Sequence, residues 1–164
     1  WKTKDIAPGN KEVKLKAVRV LSDGNINEKP KCDEDIQIQI DYWNLKPGER
    51  RYISIHVLDV LGSVLFTSGN MSITSSTIDQ WSNKQYPKGL FRTSCVIPKD
   101  LLNPGIHTID LYINKKKFTD IIFKADQIIS FEVQESNTYR TEYFGEWPGV
   151  VRPRLAWNTE ELNE

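Results

Sequence analysis

Hydrophobic and polar residues alternate with a period of two through most of this chain, and clusters of turn-forming residues interrupt the alternation. The cleanest run is Asp35 to Trp43. Ile36, Ile38, Ile40 and Tyr42 point one way, and Gln37, Gln39, Asp41 and Trp43 the other. That is one buried and one wet face of an antiparallel sheet. Tyr52 to Asp59 repeats the pattern, with Ile53, Ile55 and Val57 inward and Tyr52, Ser54 and His56 outward. From Gly105 a further strand places Ile109, Leu111 and Ile113 inward and Thr108, Asp110 and Tyr112 outward. Glu12 to Leu21 is a first strand whose apolar face switches from Val13, Leu15 and Ala17 to Val18 and Val20, so a bulge is expected at Ala17–Val18.

Turn signals fall between these runs at Pro8-Gly9-Asn10, Asp23-Gly24-Asn25, Lys46-Pro47-Gly48-Glu49 and Leu61-Gly62-Ser63, the last leading into Val64 to Phe66. Thr67 to Lys88 is polar and reads as a long loop, or a loop with a short helical turn, and holds Trp81 and Tyr86. Leu90 to Ile97 is a strand, and Lys99 to Gly105 is expected to form one helical or 3₁₀ turn. Lys115 to Lys117 is a hairpin tip. Phe118 to Lys124 and Ile128 to Val133 complete the set, followed by a polar connector from Asn137 to Tyr143. Many short alternating strands separated by turns indicate an all-β fold, an antiparallel immunoglobulin-like β-sandwich.

No fixed-period repeat or low-complexity linker divides the 164 residues, so the expectation is a single domain over 1–164, with an irregular lead-in at 1–11 and a frayed acidic end at 158–164. The chain starts at Trp1 rather than Met, without signal-peptide character, and reads as a piece of a longer protein. Acidic and basic residues balance to a formal charge of zero, which disfavours a nucleic-acid partner. Cys32 and Cys95 could bridge the sheets or remain thiols; Cys95 lies in an apolar strand, which favours plain burial.

The stretch from Phe144 to Trp157 stands apart. Pro148 and Pro153 exclude a helix or a central strand, while Trp147, Val150, Leu155 and Trp157 need apolar cover. Such a tail must dock, either on its own domain or on a second copy.

Catalytic motifs are missing. There is no GxxxxGK[ST] loop, no GxSxG elbow and no HExxH pair, and His56 and His107 are the only histidines. His107, at a strand start, reads as a packed or rim histidine. No cofactor and no metal is expected, and the domain reads as non-enzymatic. The outward residues are more informative. Trp43, Tyr52, His56, Arg92, Asp110 and Tyr112 set flat rings beside hydrogen-bonding groups, the surface that a sugar chain's C–H faces and hydroxyl rim would meet. The same rings could equally be covered by a loop, the tail or a partner.

The segment GEWPGVVRPRLAW (residues 145–157), together with Trp1 and APGNKEVKLKAVRV (residues 7–20), resembles the C-terminal carbohydrate-binding domains of Wzt-type ATPase subunits of bacterial polysaccharide ABC transporters. The end motifs carry the resemblance; the middle matches only in rhythm. It implies the sandwich fold and capture of an O-antigen or S-layer glycan for export. It also implies a cytoplasmic location at the inner face of the membrane, and partnership with an ATPase domain and a transmembrane permease. It further implies a homodimer formed by exchange of the C-terminal strand, carried onto Trp147, Val150, Val151, Arg152, Pro153, Leu155 and Trp157. It carries no residue-level glycan site. A structural or protein-interaction sandwich and a glycosidase are the competing readings.

Overall fold

The structure is a computed structural model and describes residues 1–115, 119–136, 138, 145 and 147–161. The second and third lysines of the expected tip, Phe118, most of the 137–143 connector, Phe144 and residues 162–164 lie outside the described residues. The strands are β1 (Val13–Ser22), β2 (Asn25–Ile26), β3 (Ile36–Asn44), β4 (Tyr52–Leu58), β5 (Val64–Gly69), β6 (Gly89–Ile97), β7 (Gly105–Asn114) and β8 (Ile121–Val133). One sheet runs β2-β1-β3-β6 and the other β5-β4-β7-β8. All strand pairs are antiparallel, so the all-β sandwich expected from the alternation is the fold observed.

The core lies between the sheets. Ile36, Ile38, Ile40 and Tyr42 of one sheet meet Ile53, Ile55, Val57, Ile109, Leu111 and Ile113 of the other, all of them buried. Burying each such side chain stabilises the fold by roughly 1.5–3 kcal/mol relative to exposure. The predominance of β-branched residues suits both the pleat and this packing. At the Gly48 end, Tyr86 and Trp81 fold over Phe91, with ring centroids 4.8 Å and 5.2 Å from it. The long loop's aromatics therefore extend the core.

The β1 bulge falls at Lys16, between Leu15 and Ala17, one residue before the expected position. It lets Val13 and Leu15 on one side of it, and Val18 and Val20 on the other, all face inward. Asp23 and Gly24 both take positive φ, as the tight Asp-Gly hairpin between β1 and β2 requires. Four expected features differ. Ala17 lies on the outer face opposite Asp41, because the bulge precedes it. The loop expected from Thr67 begins after Gly69, because β5 runs Val64–Gly69 and Thr67, Ser68 and Gly69 pair with β4. Phe118–Lys124 and Ile128–Val133 are not separate strands: β8 runs unbroken from Ile121 to Val133 and absorbs the break in alternation as a bulge near Gln127, where φ is +46°. Residues 99–105 form no helical turn. Asp100 sits at φ +62°, which no right-handed turn accepts, and Leu102 bridges to Val151 instead.

That bridge shows how the tail lies in this single chain. The Arg152 N–H donates to the Leu101 carbonyl at 2.9 Å, and Asn103 Nδ2 donates to the Gly149 carbonyl at 2.6 Å. The Arg152 guanidinium stands over the Trp147 ring and reaches Glu135 and the Cys32 sulfur. Even so, Trp147, Val150, Leu155 and Trp157 remain 48, 53, 67 and 91 % exposed. Cys32 and Cys95 are both free thiols, with pKa values pushed up by burial. His107 is packed inward against Phe131 with Nε2 3.0 Å from the Asn103 carbonyl, as its place at a strand start implied. No helix of the described residues is long and apolar enough to cross a membrane.

Candidate functional site

β4 and β7 run side by side in the middle of their sheet, in a register that sets Ser54 against Tyr112, His56 against Asp110 and Tyr52 against Asn114. Strand alternation turns all six to the outer face. The His56 and Tyr112 rings lie 4.4 Å apart at a 37° tilt, and Lys124 Nζ sits 5.5 Å from the Tyr112 centroid. Beside the ring pair is a shallow groove of about 290 Å³, lined by Ser54, His56, Tyr112, Asn114, Thr119 and Ile121.

The groove is amphipathic. Ile121, 51 % exposed, and the ring pair give it an apolar side, and the Ser54 and Thr119 hydroxyls give it a polar one. Asn114 is 1 % exposed and its Oδ1 accepts no hydrogen bond. A buried acceptor left unpaired costs about 1–3 kcal/mol, a penalty that a water enclosed beneath the groove would remove. Among the described residues, the lining contains no carboxylate. Asp110 adjoins it, but the residue is 8 % exposed and Oδ1 accepts the Gln127 N–H at 2.7 Å, which pins the β8 bulge. Tyr52, on the same row, is 8 % exposed, so its ring adds little surface to the face.

Trp43 and Arg92 lie elsewhere. They belong to β3 and β6, and project from the outer face of the opposite sheet. The expected glycan-binding residues thus divide: His56 and Tyr112 come together with Tyr52 and Asp110 behind them, while Trp43 and Arg92 form a second group. Alternation tells which residues point outward but not which sheet carries them. Alternation alone does not mark Asn114 and Thr119 as lining the groove, although Asn114 continues the outward row of Thr108, Asp110 and Tyr112.

A larger cleft of about 420 Å³ opens between the edge strands β5 and β6, lined by residues that include Ser68, Asn70, Thr77, Asp79 and Ser94. Many of its polar groups are committed to the loop they stand on. Thr74 Oγ1 donates to the Gly69 carbonyl, Ser75 Oγ to the Thr77 carbonyl, and Asp79 Oδ1 accepts the Trp81 N–H. These bonds shape the loop that covers the open side of the sandwich. Among the described residues, no group of three or more His, Cys, Asp and Glu is placed to hold a metal ion.

By sequence, no family model and no curated protein matches the chain. By structure, the C-terminal domain of Wzt superposes with a TM-score of 0.72, covering 93 % of this chain and 87 % of that one at 14 % identity. The fold is that of the Wzt C-terminal domain. Two Bacteroides uniformis β-glucuronidase structures align over 70 % of this chain and 13 % of theirs, with TM-scores of 0.44 and 0.43 at 11 and 12 % identity. In the fold as this chain builds it, His56 and Tyr112 are half-buried on the outer face of β4 and β7 among the buried Tyr52, Ser54, Asp110 and Asn114, and Arg92 is exposed on the outer face of the other sheet. At 14 % identity the likeness speaks for the backbone and leaves the chemistry of those faces to this chain's own residues.

Proposed function

We propose that this chain is a non-catalytic polysaccharide-binding domain of an ABC transporter's ATPase subunit, holding the glycan to be exported. The observation that carries the reading is the groove beside His56 and Tyr112, with its apolar side and its hydroxyls, on a Wzt-type sandwich. A pyranose has C–H faces that lie against rings and hydroxyls that exchange bonds with Ser, Thr and Asn. The rings lose little conformational freedom on binding because each has two χ angles. The described residues of the lining offer no carboxylate, which supports binding over hydrolysis, since glycosidases use a pair of carboxyl groups across the scissile bond.

In this reading the domain acts without a cofactor. It sits at the cytoplasmic face of the inner membrane beside a permease, and pairs with a second copy through the tail. The exposed Trp147, Val150, Leu155 and Trp157 are the surface that such pairing would cover.

The test is a glycan array with the parent, His56→Ala and Tyr112→Ala, each checked for fold by circular dichroism. Loss of one ring contact should weaken binding about tenfold, equivalent to ~1.4 kcal/mol. Both variants binding as the parent does would remove the groove from the account.

A further inference from the structure

The outer face of the other sheet carries a different chemistry. Asp41, midway along β3, lies opposite Arg92 of β6 and Ala17 of β1. Its Oδ1 accepts Arg92 Nε at 2.6 Å, and its Oδ2 accepts Arg92 Nη2 at 2.9 Å and Arg19 Nη1 at 2.8 Å. The carboxylate is buried beneath its partners: the Asp41 side chain is 6 % exposed, that of Arg19 30 % and that of Arg92 57 %. One buried carboxylate thus holds two guanidinium groups from the two flanking strands.

The geometry leaves both arginines with donors to spare. A guanidinium has five N–H groups in a planar fork. Arg92 uses Nε and Nη2 on Asp41, and Arg19 uses Nη1 on Asp41 and on Gln39 Oε1. With side chains 30 and 57 % exposed, Arg19 and Arg92 stay open to solvent, and the triad keeps one net positive charge. Trp43, the next outward residue on β3, has Lys16 Nζ 5.7 Å and Lys4 Nζ 5.9 Å from its ring centroid. A chain with no net charge therefore concentrates cations and an indole on one face.

We propose that this face takes an anionic sugar residue of the glycan, its carboxylate or phosphate held by Arg19 and Arg92 and its ring against Trp43. Asp41 acts as the positioning residue: it fixes the two forks in advance, so little freedom is lost when the anion arrives. The inference deepens the polysaccharide reading by naming the ligand as acidic. Arginine is the side chain whose fork matches carboxylate and phosphate oxygens two at a time.

The test uses the full chain and three polymers: polygalacturonate, poly(glycerol phosphate) teichoic acid and dextran. Binding is followed by calorimetry at about 50 and about 300 mM salt. The parent should bind one of the two polyanions, with affinity falling about tenfold at the higher salt. Arg19→Gln with Arg92→Gln should lose about tenfold for that polymer and lose the salt response, leaving any dextran binding unchanged. Arg92→Lys should recover only part of the loss, because it restores charge without the fork. Which polyanion binds tells carboxylate from phosphate.

An unaltered affinity in the double arginine variant overturns the proposal. So does binding of neutral array glycans with neither polyanion bound, which leaves polysaccharide binding intact. Capture by phosphatidylglycerol vesicles without either polyanion would make the face a lipid contact and overturn it too. Binding of no glycan at all sinks this inference and the functional reading together.

Discussion

Replacing Arg51 by leucine should destabilise this protein more than any exposed charge substitution. Arg51 is 1 % exposed and heads the largest fully buried side chains. Its Nε donates to Asn44 Oδ1 at 3.0 Å, Nη1 to the Arg50 carbonyl at 3.2 Å, and Nη2 to the Lys46 carbonyl at 3.2 Å and to Glu12 at 3.4 Å. Asn44, itself 0 % exposed, donates from Nδ2 to the carbonyls of Lys46, Tyr86 and Pro87. Three chain segments thus meet at one buried fork. Burial lowers the Arg51 pKa, with Glu12 and Glu49 pulling the other way, so the network restores part of what desolvation takes.

Arg51→Leu fills most of the volume but strands Asn44 Oδ1 and weakens the hold on two loops. A stranded buried group costs about 1–3 kcal/mol, and removing one member of a buried ion pair about 3–5 kcal/mol. The leucine escapes the arginine's desolvation penalty, so the net loss should be about 3 kcal/mol. For a domain of this length that is a fall of about 6–12 °C in Tm. Urea unfolding followed by circular dichroism should show the midpoint shifted by about 1–2 M at constant slope. Glu12→Gln is the control. The amide that replaces the carboxylate still accepts a bond from Arg51, so it should cost less than Arg51→Leu. An Arg51→Leu variant within about 1 kcal/mol of the parent would show that the fork is dispensable, and would refute the reasoning.

Two further outcomes are expected. The Arg92 and Arg19 bonds hold the Asp41 carboxyl below its ordinary range, so its contribution is full above the unfolded value of about 4 and is lost as pH falls through the lower folded value. Asp41→Asn should therefore flatten the acid limb of a stability–pH curve below about pH 4, and an unchanged limb would exclude the linkage. Removing residues 144–164 deletes the Leu102–Val151 bridge and the Arg152 contacts to Glu135 and Cys32, and should turn a dimer into monomer or aggregate by light scattering. A well-folded dimer of unchanged size would reject the tail as the dimer contact.

Much of the fold was legible because its main signal is local. A residue's place along a strand decides which way it points, so Ile36 to Tyr42 and Ile53 to Val57 could be assigned to a core from alternation alone. The Asp-Gly turn and the β1 bulge were visible for the same reason: each is a short-range conflict between backbone and pattern. The helical turn expected at 99–105 failed because Leu102 answers to Val151, a partner far along the chain. The long β8 strand was divided too early, because the break near Gln127 is held by Asp110 from a neighbouring strand.

By itself, the sequence determined that this is an antiparallel sandwich with outward-facing rings, since period-two patterning is written residue by residue. Only the tertiary structure decided that the rings divide between two faces, because the sheet a strand joins depends on pairing across the whole chain. It also decided that Arg51 lies inside and that Asp41 gathers two arginines. The Asp41 cluster and the Arg51–Glu12 pair join segments distant in sequence, and no local pattern encodes them.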